Sequence, residues 1–318
     1  MEIQTRLSER RLDAQGALRL IATSAYRVLL MLQLAISGCC NDSPPVLTPP
    51  PIWQVGSVIP PDGLTETALS PDGKQFVYSD QTQDIVGSHI FIADVGGKNR
   101  RQLTDLPTGD GTPSWSPDGK KIIFTRAARH RCYSMGGMVW DCWDIWTVSL
   151  DGHQEQRLTS EKFYQASEPN FSSDMRQVLF WAYREPSGNA PSGQPGSDEI
   201  VIGDLNENGA MTAMRWMPTT PGPDGRSFFP AENRDASFSP DGRTIVFVSN
   251  RVGRVAPFDY EVWLTDPAFS RMVQLTHLHS RLSSPTFTRD GQSILFGCWG
   301  ANSLWQIKPD GSDLKQIR

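Results

Sequence analysis

The four residues Ser-Pro-Asp-Gly stand at 70–73, again at 116–119 and again at 239–242, with altered copies Ser-Ser-Asp-Met at 172–175 and Thr-Arg-Asp-Gly at 288–291. A β-branched and aromatic run follows each copy, at 75–78, 121–124, 177–181, 244–248 and 293–296. A second run follows at 89–92, 144–147, 199–202, 261–264 and 303–306, and closing segments lie at 101–104, 157–159, 274–276 and 315–317. The turn aspartates Asp72, Asp118, Asp174, Asp241 and Asp290 recur at a period of about 50 residues, the length of a propeller blade. Proline presets φ for a reversal, aspartate bonds its own backbone and glycine accepts a positive φ, so each copy joins two strands as a hairpin. A lone four-stranded blade cannot bury both faces, and neighbours must stack on it. The expected fold is an all-β propeller of four-stranded blades, five in number, with a sixth if the segment at 52–56 and its neighbours contribute strands.

The repeat resembles the TolB-type propeller, a relative of the WD repeat, over about residues 66 to 318. That resemblance implies the fold and leaves function open, because propellers host binding modules, scaffolds and several enzyme chemistries. The stretch 41–65 is too short for the α/β domain that precedes the TolB propeller. Prolyl-oligopeptidase relatives add a hydrolase domain, which is not expected here because the sequence stops within a few residues of the last strand.

Arg19 and Arg27 precede an apolar stretch at 28–36, followed by Ser37, Gly38 and Cys39. A basic region, a short apolar core and small residues at a cleavage point describe an export signal rather than a membrane-spanning helix. Ile36-Ser-Gly-Cys39 resembles the lipobox of bacterial lipoproteins, which makes Cys39 the lipid-bearing residue; Cys40 fits less well. The expected organisation is a signal peptide at 1–38, then the anchor cysteine, a Pro-rich linker and a candidate closing strand at 39–65, then the propeller at 66–318. The dense prolines at 44–51 favour a semi-rigid extended spacer. An exported chain, lipid-anchored to the envelope, is expected. In a Gram-negative host the anchor is the outer membrane, facing the periplasm, since Cys40 rather than aspartate follows the lipidated residue.

In an oxidising compartment Cys132 and Cys142, which bracket a loop, are expected to form a disulfide worth about 3 kcal/mol; Cys298 reads as an unpaired, buried thiol. An apolar content of 38% with ten Trp and fourteen Phe supports a large core, and a net charge of −5 argues against nucleic acid as a partner.

With strands lettered a to d outward from the channel, the a-to-b and c-to-d turns share one face. The b-to-c loops and blade-to-blade links share the other. Insertions concentrate on the second face, at 126–143, 184–197, 218–234 and 250–259, where binding residues of a rigid scaffold gather. They carry Tyr133, Trp140, Trp143, Phe228, Phe229 and Phe258, with Arg126, Arg184, Arg234 and Arg251, and Trp299 stands on the same face in the b-to-c link of the fifth repeat. Aromatic and arginine residues dominate protein interfaces and also stack on sugars. The leading expectation is a monomeric binding scaffold for an envelope protein, a peptide or a glycan, held to the membrane only by its anchor. The alternative is a carbohydrate-active hydrolase or lyase using Asp144, Asp198, Glu199, Asp235 or Glu261 at the channel mouth. The chain has no Gly-x-Ser-x-Gly elbow, no His-Glu-x-x-His and no phosphate-cradling loop. Two weaker metal readings remain. His277 and His279 would share a metal if their segment were extended. Asp204, Asn206 and Asn208 match the first half of a calcium loop, although a polar hairpin explains the same residues. No other cofactor is expected.

Overall fold

The computed structural model describes residues 67–81, 87–135, 138–161, 163–185, 196–218, 231–251, 259–298 and 303–317, with side chains throughout except at 81, 128–135 and 138–141. Among them, five antiparallel four-stranded sheets form the blades of a β-propeller. Blade 1 comprises β1 (Thr67–Leu69), β2 (Gln75–Gln81), β3 (Ser88–Asp94) and β4 (Arg101–Gln102); blade 2 comprises β5 (Gly109–Trp115), β6 (Lys121–Met135), β7 (Met138–Ser149) and β8 (Glu155–Arg157). Blade 3 holds β9 (Ala166–Phe171), β10 (Gln177–Arg184), β11 (Ser197–Leu205) and β12 (Met211–Trp216). Blade 4 holds β13 (Asn233–Phe238), β14 (Ile245–Ser249), β15 (Glu261–Thr265) and β16 (Met272–Gln274), and blade 5 holds β17 (Leu282–Phe287), β18 (Ile294–Cys298), β19 (Ser303–Ile307) and β20 (Lys315–Gln316). The export signal, Cys39, the Pro-rich linker and the segment at 52–56 lie outside the described residues.

The repeated turn works as its residues dictate. In blade 4 the Ser239 hydroxyl donates to Asp241 Oδ1 at 2.6 Å and accepts the Thr244 N–H at 2.9 Å, while Asp241 Oδ1 also accepts the Arg243 N–H at 3.0 Å. Gly242 sits at φ 70°, in the left-handed region that only glycine enters without strain. The Ser239 hydroxyl and the Arg243 N–H hold the Asp241 carboxyl below its ordinary value. Blade 3 keeps this bonding although Met175 stands at φ 58° where the other blades have glycine.

A second repeated device lies in the innermost strands. β5, β9, β13 and β17 each shift register against their partner strand. At the shift one residue adopts a positive φ: Thr112 (46°), Glu168 (57°), Asp235 (52°) and Ser284 (50°). Each stands four residues before the Ser or Thr of the turn, and proline follows in three of the four. These β-bulges also bridge blades. Thr112 Oγ1 accepts the Glu168 N–H at 3.2 Å and Asp235 Oδ2 accepts the Ser284 N–H at 2.9 Å.

Apolar clusters join consecutive blades. Val77, Ile90, Ile92, Ile122 and Phe124 lie between blades 1 and 2, and Ile123, Phe171, Val178 and Phe180 between blades 2 and 3. Leu179, Ile202, Phe247 and Trp263 fill the junction of blades 3 and 4, and Val246, Val262, Ile294 and Phe296 that of blades 4 and 5. The alternation of a strand's side chains sends Val178 one way and Leu179 the other, so a two-sided apolar run feeds two junctions at once.

One expectation needs correction. The insertion at 126–143 is not an irregular loop, because β6 runs to Met135 and β7 resumes at Met138. The segment holds no proline, so nothing in it bars the two strands from running on. The outer strand β12 of blade 3, which the polar hairpin at 204–209 implies, has the sequence Met-Thr-Ala-Met-Arg-Trp and lacks the closing Leu-Thr of blades 1, 2 and 4. Cys142 is disulfide-bonded and Cys298 is a free buried thiol at the end of β18, whereas Cys132 falls outside the described side chains.

Candidate binding face

Six of the seven named aromatic candidates, Tyr133, Trp140, Phe228, Phe229, Phe258 and Trp299, fall outside the described side chains. Trp143 pairs with Phe163 in an isolated bridge and packs on the core between blades 2 and 3. Arg184 and Arg251 converge where blades 3 and 4 meet on the loop face. Arg184 ends β10 and Arg251 follows β14, equivalent positions in the repeat, and both touch Met217. The Arg184 Nη1 lies 3.5 Å from the Met217 carbonyl and the Arg251 Nη2 lies 3.3 Å from its sulfur.

Around them is a polar network. Arg251 Nη2 donates to Asn233 Oδ1 at 2.7 Å, and Asn233 Nδ2 donates to Glu199 Oε2 at 2.7 Å. Ser197 donates to the other Glu199 oxygen at 2.8 Å. Arg234 pairs with Asp198 and, at 3.1 Å, with Glu232, which also accepts the Tyr260 hydroxyl. Burial opposes charge on Arg234, but these carboxylates hold its guanidinium above its ordinary value. Burial likewise raises the Tyr260 hydroxyl. Guanidinium groups lie over the rings: Arg234 over Trp181 (5.5 Å) and Tyr260 (5.9 Å), Arg251 over Phe247 (5.3 Å) and Trp263 (5.1 Å), Arg184 over Trp216 (5.3 Å).

A second polar centre lies between blades 1 and 2. Arg126, expected in a loop, is interior. It donates through Nε and Nη2 to Asp110 (2.6 and 2.9 Å) and through Nη1 and Nη2 to Glu155 (2.6 and 3.0 Å). Asp110 is wholly buried. Beside this triad lies His89, also wholly buried, with neither ring nitrogen hydrogen-bonded among the described residues. Burial pushes the His89 imidazole below its ordinary value, Asp110 and Asp105 pull it up and Arg126 pushes it down. The neutral ring is therefore favoured in the folded state. Stability carried by His89 is complete above the unfolded value of 6.5 and falls as pH drops below it, where the unfolded chain binds the proton first. A His89→Leu variant is expected to show a shallower fall in melting temperature than the parent between pH 7.5 and 5.5; parallel curves would refute this.

The five carboxylates considered for catalysis all make structural bonds. Asp144 accepts the Thr159 hydroxyl at 2.7 Å and Arg157 Nη2 at 2.6 Å. Glu261 accepts the Thr276 hydroxyl, the Leu278 N–H at 3.1 Å and the His279 N–H at 2.7 Å. The threonines in turn accept the Ile145 and Val262 N–H groups at 2.9 Å, forming a latch between the third and fourth strands of the blade. In blade 1 Thr104 receives Ile90 in the same way, with His89 in the acid's place. Asp198 and Glu199 belong to the network above, and Asp235 holds the bulge bridge.

The metal candidates are placed differently from the sequence pattern. His277 bonds Gln274, and the chain turns at His279 (φ 48°), so the alternation that would align the two rings does not hold. Asp204 lies in β11 and pairs with Arg215 and Gln177, while Asn206 Oδ1 accepts the N–H groups of Asn208 and Ala210 at 3.0 Å in a hairpin turn. Among the described residues no three His, Cys, Asp or Glu side chains gather closely enough for a metal ion.

Comparison with known proteins places this architecture among β-propellers. The fold is the TolB-type propeller. TolB from Acinetobacter baumannii superposes with a TM-score of 0.53 at 23% identity, over 77% of this chain and 52% of that one. A protein from Agrobacterium tumefaciens assigned to TolB gives 0.58 at 16% identity over 79% of each chain. An oligogalacturonate lyase in complex with manganese gives 0.53 at 17% identity, over 79% of this chain and 64% of that one. In sequence, a 65-residue segment is 37% identical to dipeptidyl-peptidase 5 of Porphyromonas gingivalis, which is 19% of this chain. A 62-residue segment is 39% identical to an uncharacterized peptidase, YuxL, of Bacillus subtilis. The matches span 10% and 9% of those curated relatives. No family model matches the chain.

Proposed function

We propose that this propeller is an extracytoplasmic scaffold, anchored through Cys39 to the outer membrane, whose loop face binds a protein or peptide of the cell envelope. The observation that carries this reading is the set of arginines lying over aromatic rings at the junction of blades 3 and 4. Sugar recognition needs bare ring faces, and among the described residues these rings are covered by guanidinium groups. Arginine backed by an aromatic ring is the residue type enriched at the energetic centres of protein interfaces. The engagement of Asp144, Asp198, Glu199, Asp235 and Glu261 in structural bonds favours binding over hydrolysis.

Affinity capture from envelope extracts tests the reading with two charge reversals of opposite placement. Arg184→Glu, on the loop face, is expected to lower recovery of a specific partner at least tenfold, while Arg243→Glu, on the turn face, leaves recovery unchanged. Equal recovery by both variants, or no specific partner for the parent chain, would sink it.

A further inference from the structure

We propose that Arg251, with Trp263 behind it and Arg184 across Met217, anchors a carboxylate of an acidic peptide segment; this rests on the loop-face reading above. Arg251 differs from the other interior arginines. Arg126 pairs with Asp110 and Glu155, and Arg234 pairs with Asp198 and Glu232. Among the described residues Arg251 hydrogen-bonds only uncharged atoms: Ser249 Oγ from Nε at 3.1 Å, and Asn233 Oδ1 and Met217 sulfur from Nη2. Asn233 is the reason. Its amide takes the guanidinium on one side and gives its N–H to Glu199 on the other, which inserts a neutral group between the charge and its nearest acid.

A desolvated cation without a hydrogen-bonded anion is costly unless a ligand supplies one. Burial indeed pushes the Arg251 guanidinium below its ordinary value, with Glu199 opposing from a distance. The side chain is half-buried, so a ligand can reach it. The ring of Trp263, 7% exposed, lies with its centroid 5.1 Å from the guanidinium, and its buried indole N–H has no acceptor among the described residues. The site therefore offers the Nη1 end of the guanidinium, whose N–H groups none of these contacts uses. A monoanion that accepts a charge-assisted hydrogen bond there, such as a carboxylate, suits it. Asp198 and Glu199 close by disfavour a phosphate dianion.

An array of random octapeptides tests this with the parent chain, Arg251→Gln and Arg251→Lys, each first shown to melt like the parent. Aspartate- and glutamate-rich peptides are expected to dominate binding by the parent. Arg251→Gln is expected to lose them by about 10- to 100-fold, the cost of an unmatched charge-assisted pair, with partial recovery in Arg251→Lys. In a companion titration with acetylated, amidated tetraglutamate, the Trp263 indole N–H resonance is expected to move, and the tetraglutamine peptide is expected to leave it in place. Peptide binding without acidic preference, or equal binding by Arg251→Gln, would overturn the Arg251 assignment while leaving the peptide reading intact. Stronger competition by inorganic phosphate than by acetate would overturn the carboxylate. Binding of no peptide by the parent would overturn the loop-face reading itself.

Discussion

An Arg126→Ala variant is expected to lose about 3–5 kcal/mol of stability, read as a lower urea midpoint with an unchanged slope. The size follows from what stays behind. Arg126 is 3% exposed and its removal leaves Asp110, wholly buried, as an uncompensated anion. Glu155 is at the edge, 22% exposed, and can rehydrate. The loss is therefore assigned mainly to Asp110, and pairing Arg126→Met with Asp110→Asn is expected to restore much of it, because a charge-free interior of similar volume avoids the desolvation cost. If Arg126→Ala alone costs under about 1 kcal/mol, the triad is wetter than its geometry indicates.

The second large effect belongs to Glu261. Its alanine variant is expected to lose about 3–5 kcal/mol, since three donors, including the backbone N–H groups of Leu278 and His279, lose a charged acceptor at the link from blade 4 to blade 5. Glu261→Gln keeps the shape and one acceptor oxygen, so a milder loss of about 1–2 kcal/mol is expected. This pair of variants also separates the latch from catalysis. A latch predicts that stability tracks the number of acceptors kept, whereas a catalytic acid predicts that both variants fold like the parent. Thermal melts of the two variants beside the parent decide the matter.

The blades were legible because the turn writes its geometry into four adjacent residues. Serine bonds the aspartate and the returning strand, aspartate caps the turn, and glycine takes the positive φ, so each residue type is fixed by a local requirement. The second and third strands were legible for a similar reason, since burial on both faces demands a continuous apolar run. The innermost strands were not, because their register shift breaks the alternation that marks a strand. A signal was nonetheless present: Thr112-Pro113, Glu168-Pro169 and Ser284-Pro285 stand at one offset from the turn. The role of the strand-opening acids was also hidden. Asp144 and Glu261 read as free carboxylates until Thr159 and Thr276, 15 residues on, are brought against them. Arg126 was placed in a loop because nothing local announces that β6 continues past it. Arg251 and Arg184 were picked out from residue type alone, but their convergence on Met217 depends on two blades meeting.

The bulges have a bearing on how such a chain diversifies. On the turn side of each bulge, strand register is fixed by the hairpin. On the loop side it is reset, so a residue gained or lost there need not shift the apolar side chains that key one blade into the next. Second strands accordingly range from the 15 residues of β6 to the 5 of β14 and β18 within one set of junctions. The frame thus acts as a mutational buffer: one rim can lengthen, shorten and acquire new specificity while the opposite rim keeps the repeat in phase.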